Sequence, residues 1–183
     1  MKNIFLIILL SAAVSCTAQT YPLRTFTSIP ENAYLKDTNN ELNTYEGTWK
    51  GSWNNRTLFV TFKKVTNKYN ESLKYYKDIL VGKFKVLDNN GNILFDNTNL
   101  PDDKTKIWGG GIRKLDDKYS LSYVDQDLCY TSGNIRISFT DSTKTKLNWN
   151  LYFGSDMITS DCPYYNANPF PQALPEEIVL TKQ

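Results

Sequence analysis

An antiparallel, up-and-down β-barrel of eight or nine strands is the fold this sequence predicts, with a β-sandwich as the alternative. Three observations predict it. Residues 45–65, YEGTWKGSWNNRTLFVTFKKV, alternate with period two on both sides of an Asn54-Asn55 turn, which is a β-hairpin signature. Aromatic residues make up 14% of the chain, with 12 Tyr and 4 Trp, and such side chains favour strands. The alternation then recurs in short, regularly spaced runs, and no run of helical period reaches three turns. Closure of the first strand on the last would remove the open edges that invite aggregation.

The chain divides into an export signal at 1–18, a tether and lead-in at 19–44, and a single β domain at 45–183. Lys2 precedes a short apolar run at 4–10, too short to span a bilayer, which reads as a signal peptide. Two cleavage readings stand. One cuts after Ala18. The other cuts before Cys16 in the lipobox-like Ala13-Val14-Ser15-Cys16, and lipidation of Cys16 would anchor the domain to a membrane surface. Cysteine arithmetic favours the second, because Cys129 and Cys162 can pair in an oxidising compartment and leave Cys16 needing a role. Their disulfide would close a loop of just over thirty residues and stabilise by about 3–4 kcal/mol.

Residues 19–44 have little periodicity, and Asp37 with Glu41 suits either a short capped helix or a turn. After the hairpin, 66–72 is polar and turn-like. Residues 74–87 form a long strand with Tyr76, Leu80, Phe84 and Val86 on one face, and Gly82 marks a bulge or bend. Asn90-Gly91 turns the chain. The three glycines Gly109, Gly110 and Gly111 lack the helix and the Lys-Ser/Thr pair of a phosphate loop, so they mark a bend or close backbone approach. Leu147, Trp149, Leu151 and Phe153 define the cleanest half-buried strand. A long irregular segment follows, then a last strand with Ile178 and Leu180 on one face.

The net charge is +2 with no block of like charge, which argues against nucleic acid as a partner. There is no histidine, which removes the commonest general base and the commonest metal ligand. No catalytic or metal-binding constellation and no cofactor motif emerge. The best carboxylates for a glycan-acting enzyme are Asp37, Glu41, Glu46 and Asp78, and turn caps account for such residues more often. Asp125 and Asp127 lack the remaining positions of a calcium loop.

The Gly47-Thr48-Trp49 triplet is similar to the Gly-x-Trp signature of lipocalins and other calycins. That resemblance implies a calycin-like barrel with Trp49 packed across one end against a basic side chain of the last strand, for which Lys182 is the candidate. More widely, the chain resembles an uncharacterised family of small exported (lipo)proteins from flavobacteria-type bacteria, a domain of unknown function. The resemblance rests on AQTYPL at 18–23, AYLKD at 33–37, YEGTW at 45–49, KDILVG at 77–82 and IVLTK at 178–182. It brings no catalytic residues.

The expected function is a non-catalytic, exported binding or interaction module at the cell envelope, periplasmic or outer-membrane, with a small apolar ligand in a barrel cavity. Trp53, Tyr76, Trp108 and Trp149 are its candidate ligand-binding side chains. The alternatives are a partner-binding envelope lipoprotein with a filled interior and, more distantly, a glycan-acting enzyme.

Overall fold

The computed structural model describes residues 18–155 and 157–183, so the expected export signal up to residue 17, with Cys16, lies outside the described residues. The chain is all-β. Its strands are β1 (Thr20–Pro22), β2 (Tyr34–Lys36), β3 (Gly47–Trp53), β4 (Arg56–Asn70), β5 (Tyr75–Leu87), β6 (Ile93–Asp96), β7 (Ile107–Ile112), β8 (Tyr119–Asp125), β9 (Thr131–Phe139), β10 (Lys146–Phe153) and β11 (Glu177–Lys182). Two 3-10 turns, Leu42–Thr44 and Gln126–Leu128, are the helical elements described.

Eight strands close into an antiparallel barrel in the order β5-β4-β3-β11-β10-β9-β8-β7, with β7 returning to β5. The barrel is one continuous sheet with two short seams. The β3–β11 seam has two residue pairs, Lys50 with Thr181 and Trp49 with Lys182. The β5–β7 seam also has two, Val81 with Trp108 and Gly82 with Ile107. The longest ladder runs from Thr57 with Leu87 to Asn70 with Tyr75 between β4 and β5.

The turns explain why the strands begin and end where they do. Asn54 and Asn55 both adopt positive φ, 44° and 61°, as a tight two-residue hairpin requires. The segment at 66–72, expected as a turn, instead continues β4 to Asn70, with a register shift between Val65 and Lys68. Polar composition hid the strand because this arm is largely exposed. Gly82 is not a bulge, for the β4–β5 register runs straight through it. Its missing side chain instead lets β7 approach, since a Cβ there would lie 3.1 Å from Ile107 Cγ2 and from Phe62.

Residues 19–44 are more than a tether. Leu23, Ala33, Leu35 and Leu42 are buried, and β2 pairs in parallel with β5. Arg24 forms ion pairs with Glu41 at 2.6 Å and with Asp117 in the β7–β8 turn. Asp78, 1% exposed, accepts from Tyr34 Oη at 2.5 Å, Asp37 N at 2.9 Å and Asn67 N at 2.9 Å. Asp37 in turn accepts from Glu41 N, Leu42 N and Lys64 Nζ.

The barrel interior is filled. Trp49, Trp149, Tyr119, Tyr123, Phe62 and Phe84 are each at most 1% exposed and form one cluster with the inward aliphatic residues. A small-ligand cavity inside the barrel, the expected site, is replaced by packed side chains, as is normal at eight strands. The Cys129–Cys162 disulfide forms, with 5.6 Å between its Cα atoms, and ties down the segment after β10. It is compatible with an exported, non-cytoplasmic protein.

Candidate functional site

The outer edge of β5 is where the barrel departs from a simple ladder. It meets β6 at residues 85–87, β7 at 81–82 and β2 at 76–77. Between these pairings side chains take over from backbone. Asn97 Oδ1 accepts from Phe84 N at 2.5 Å, and Asn97 N donates to Phe84 O at 3.0 Å. The Tyr119 hydroxyl accepts from Leu80 N at 3.0 Å. Lys77 Nζ donates to Gly110 O.

The three glycines of β7 make this substitution sterically feasible. A Cβ on Gly109 would overlap the Tyr119 hydroxyl and lie 3.0 Å from Leu80 N. Gly111 has φ of 129°, and a Cβ there would lie 2.7 Å from Lys77 Nζ. The register between β7 and β8 shifts between Gly109 and Gly111. The run is therefore a close-approach device, and it lets β7 peel away from β5.

Where β7 peels away, a cleft of about 470 Å³ opens on the outer wall. Leu80, Phe84 and Val86 face the core, so Ile79 and Val81, which alternate with them, face the cleft. Val65 of β4 extends the apolar floor, and Trp108, 39% exposed, stands at the side. The β4 arm contributes Tyr69, whose ring lies 5.0 Å from that of Tyr76. The opposite wall is the loop at 97–106. Asp102 holds it down through Lys63 Nζ at 2.5 Å and Lys83 Nζ at 2.9 Å, and these bonds depress the Asp102 pKa. Such a volume falls within the size range of small-molecule sites.

Lys77 is the polar group on the floor. It is 8% exposed and its pKa is lowered by burial. Sequence reading passed over it because Lys77, Lys83 and Lys85 share the outward face of β5, a pattern that normally means solvent. Gly110 and Gly111 of β7 lie against its amine, and that approach is not legible from spacing along β5. The glycines opposite were the one available signal.

The expected binding residues do not converge. Trp108 lines the cleft. Tyr76 backs it through Tyr69. Trp53 packs half-buried against the core, 6.0 Å from the Arg56 guanidinium. Trp149 is wholly buried and donates to Pro175 O at 3.0 Å, so it is a core residue. Trp49 is buried beneath Lys182, whose Nζ lies 5.3 Å from the ring centroid. Asp37 and Asp78 are committed to donors of the lead-in and of β4, Asp37 accepting from Glu41 N, Leu42 N and Lys64 Nζ and Asp78 from Tyr34 Oη, Asp37 N and Asn67 N. Asp125 and Asp127 both pair with Lys106, at 2.5 Å and 2.6 Å.

Fold and site define a class: a small, disulfide-clasped antiparallel barrel with a packed interior and a ligand-sized cleft on its outer wall. Within that class the chain belongs to DUF6705, a family of unknown function whose family model matches residues 1–183. No curated protein and no solved structure matches the chain.

Proposed function

We propose that this protein is an exported, non-catalytic binding module of the cell envelope whose ligand occupies the outer cleft rather than the barrel interior. The ligand has an apolar body and a head group that accepts hydrogen bonds. One observation carries this reading: a buried lysine amine set in an apolar floor beside the exposed indole of Trp108. A hydrocarbon or aromatic body would cover Val65, Ile79 and Val81, and the amine would orient the head group. The signal sequence and the disulfide support export, and lipidation of Cys16 would hold the domain at a membrane surface. The buried carboxylates Asp37 and Asp78 have structural hydrogen bonds to make, which supports a role other than acid-base catalysis.

Titrating the mature chain with decanol and decanoate while following tryptophan fluorescence tests the reading. Saturable quenching that weakens in Trp108→Ala, with the far-UV spectrum unchanged, is the expected result. The filled barrel favours a second reading, a partner-binding envelope lipoprotein. Absence of saturable quenching by either amphiphile would turn the choice to it.

A further inference from the structure

Ligand binding alone leaves the chemistry of Lys77 unused. A lysine ammonium has three N–H donors. Here Nζ has one acceptor, Gly110 O, and no ion pair to it is present among the described residues. The nearest apolar wall is Ile79 and Val81 on its own strand and Val65 on β4. An unpaired ammonium in such surroundings is costly, so burial favours the neutral amine. Burial is the cause of the lowering. Of the groups that titrate around it, Lys68 is its cross-strand partner on β4. Tyr69 lies on the same arm and Tyr119 on β8. Asp102 is engaged by Lys63 and Lys83, and Asp103 lies on the exposed rim of the loop. From β2, Leu35 is the register partner of Lys77, flanked by Tyr34, which is bonded to Asp78, and the exposed Lys36.

A lysine whose burial in an apolar cleft favours the neutral amine is the arrangement that makes an amine nucleophilic toward carbonyl carbon. Building on the reading of the cleft as a ligand site, we propose that Lys77 is an imine-forming lysine that captures an apolar aldehyde seated against Trp108. The nitrogen lone pair attacks the aldehyde carbon, the carbonyl π bond opens onto oxygen, and a proton passes from nitrogen to that oxygen, giving a carbinolamine. The C–O bond then breaks, the second N–H proton leaves with the oxygen as water, and the C=N bond forms. One amine and one aldehyde give one imine and one water, with no change in oxidation state. The opening of the cleft to solvent gives the water an exit, and a volume of about 470 Å³ accommodates an aryl or medium alkyl aldehyde.

The test incubates the mature chain with cinnamaldehyde and cyanoborohydride at neutral pH, then locates adducts by intact mass and peptide mapping. Cinnamyl alcohol, which has the same body and no carbonyl, reports non-covalent occupancy of the cleft through tryptophan fluorescence. The expected result is a single early adduct at Lys77, forming roughly tenfold faster than at the exposed Lys104 and Lys114. Cinnamyl alcohol should slow it, and Lys77→Arg, which keeps a donor for Gly110 O, should abolish it. If the alcohol binds while adducts spread evenly over exposed lysines, the imine proposal is overturned and the binding reading stands. If the alcohol does not bind and Lys77 is not labelled, both fall. Mapping on the unaltered chain decides the matter even if the arginine variant does not fold.

Discussion

Lys182 and Trp49 face each other as one of the two residue pairs that join β11 to β3, and the lysine Nζ lies 5.3 Å from the indole centroid. The same amine donates to Thr44 O at 3.1 Å, and the indole Nε1 donates to Tyr45 O at 2.7 Å. One seam of the barrel thus has a cation over an aromatic face and two hydrogen bonds that tie it to the end of the lead-in.

Replacing Lys182 by Met should therefore cost about 1–2.5 kcal/mol, the sum expected from a cation–π contact and a hydrogen bond. A double-mutant cycle with Trp49→Phe, read from urea midpoints, should show a coupling of roughly 0.5–1 kcal/mol. Strict additivity would mean that the two side chains are neighbours without an energetic link.

Gly109→Ala should destabilise by about 1–3 kcal/mol, because the new methyl group displaces the Tyr119 hydroxyl from Leu80 N. Tyr119→Phe in the same background should recover part of the steric cost but leave Leu80 N unpaired. Thermal unfolding of the two single variants and the double variant separates these contributions. An alanine as stable as the glycine would refute the close-approach account of β7.

Asp78→Asn places an amide donor among three donors, Tyr34 Oη, Asp37 N and Asn67 N. A buried mismatch of this kind costs about 1–3 kcal/mol. The visible consequence should be local: limited proteolysis should cut at Arg24 or Lys36 before it cuts the barrel. Protection of the lead-in equal to that of the unaltered chain would show that Asp78 does not hold it.

Alkaline pH should unfold the barrel through its tyrosines. Burial pushes Tyr45 up to about 12, and burial with the Asp78 hydrogen bond does the same for Tyr34. Burial raises Tyr119 and Tyr123 further. A folded value above the unfolded one means that the fold favours the protonated phenol. Its stabilisation is complete below the ordinary value near 10 and is lost as pH rises through the folded values. Tyrosinate absorbance and loss of far-UV signal should then rise together above about pH 10. Full ionisation of the tyrosines with the fold intact would contradict it.

Removing the disulfide by Cys129→Ser with Cys162→Ser should lower stability by about 3–4 kcal/mol, given a sequence separation of 33. Denaturant midpoints with and without reductant measure it. Equal midpoints would mean that the end segment is held by its buried Ala173 and Leu174 alone.

Strand periodicity was readable wherever one face was packed and the other wet, as at Leu147, Trp149 and Leu151. Asn54-Asn55 and Asn90-Gly91 were readable because their chemistry is local. β1 and β2 were not, since three-residue parallel strands have no period to show and are defined by what they dock on. The barrel, and not the sandwich alternative, is what forms, because one continuous sheet closes on itself through two short seams. Trp149 was misjudged as a ligand contact for a related reason: inward alternation places a side chain inside the barrel but does not say whether the inside is hollow. Lys77 was not legible as a site residue because its amine is met by Gly110, 33 positions along the chain, and not by its own sequence neighbours.

The two seams also set a mechanical property of the molecule. Local opening costs least where the fewest bonds must break, and each seam is held by two residue pairs. One is bolted by Lys182 and Trp49, whereas the other has the cleft alongside it, with Trp108 and Val81 belonging to both seam and cleft wall. An occupant of the cleft, if the proposed binding holds, would act as a stitch across the barrel's looser join. Ligand binding and barrel closure would then be a single equilibrium, and slowed amide exchange at Ile107 and Trp108 would register the presence of a guest that touches neither amide.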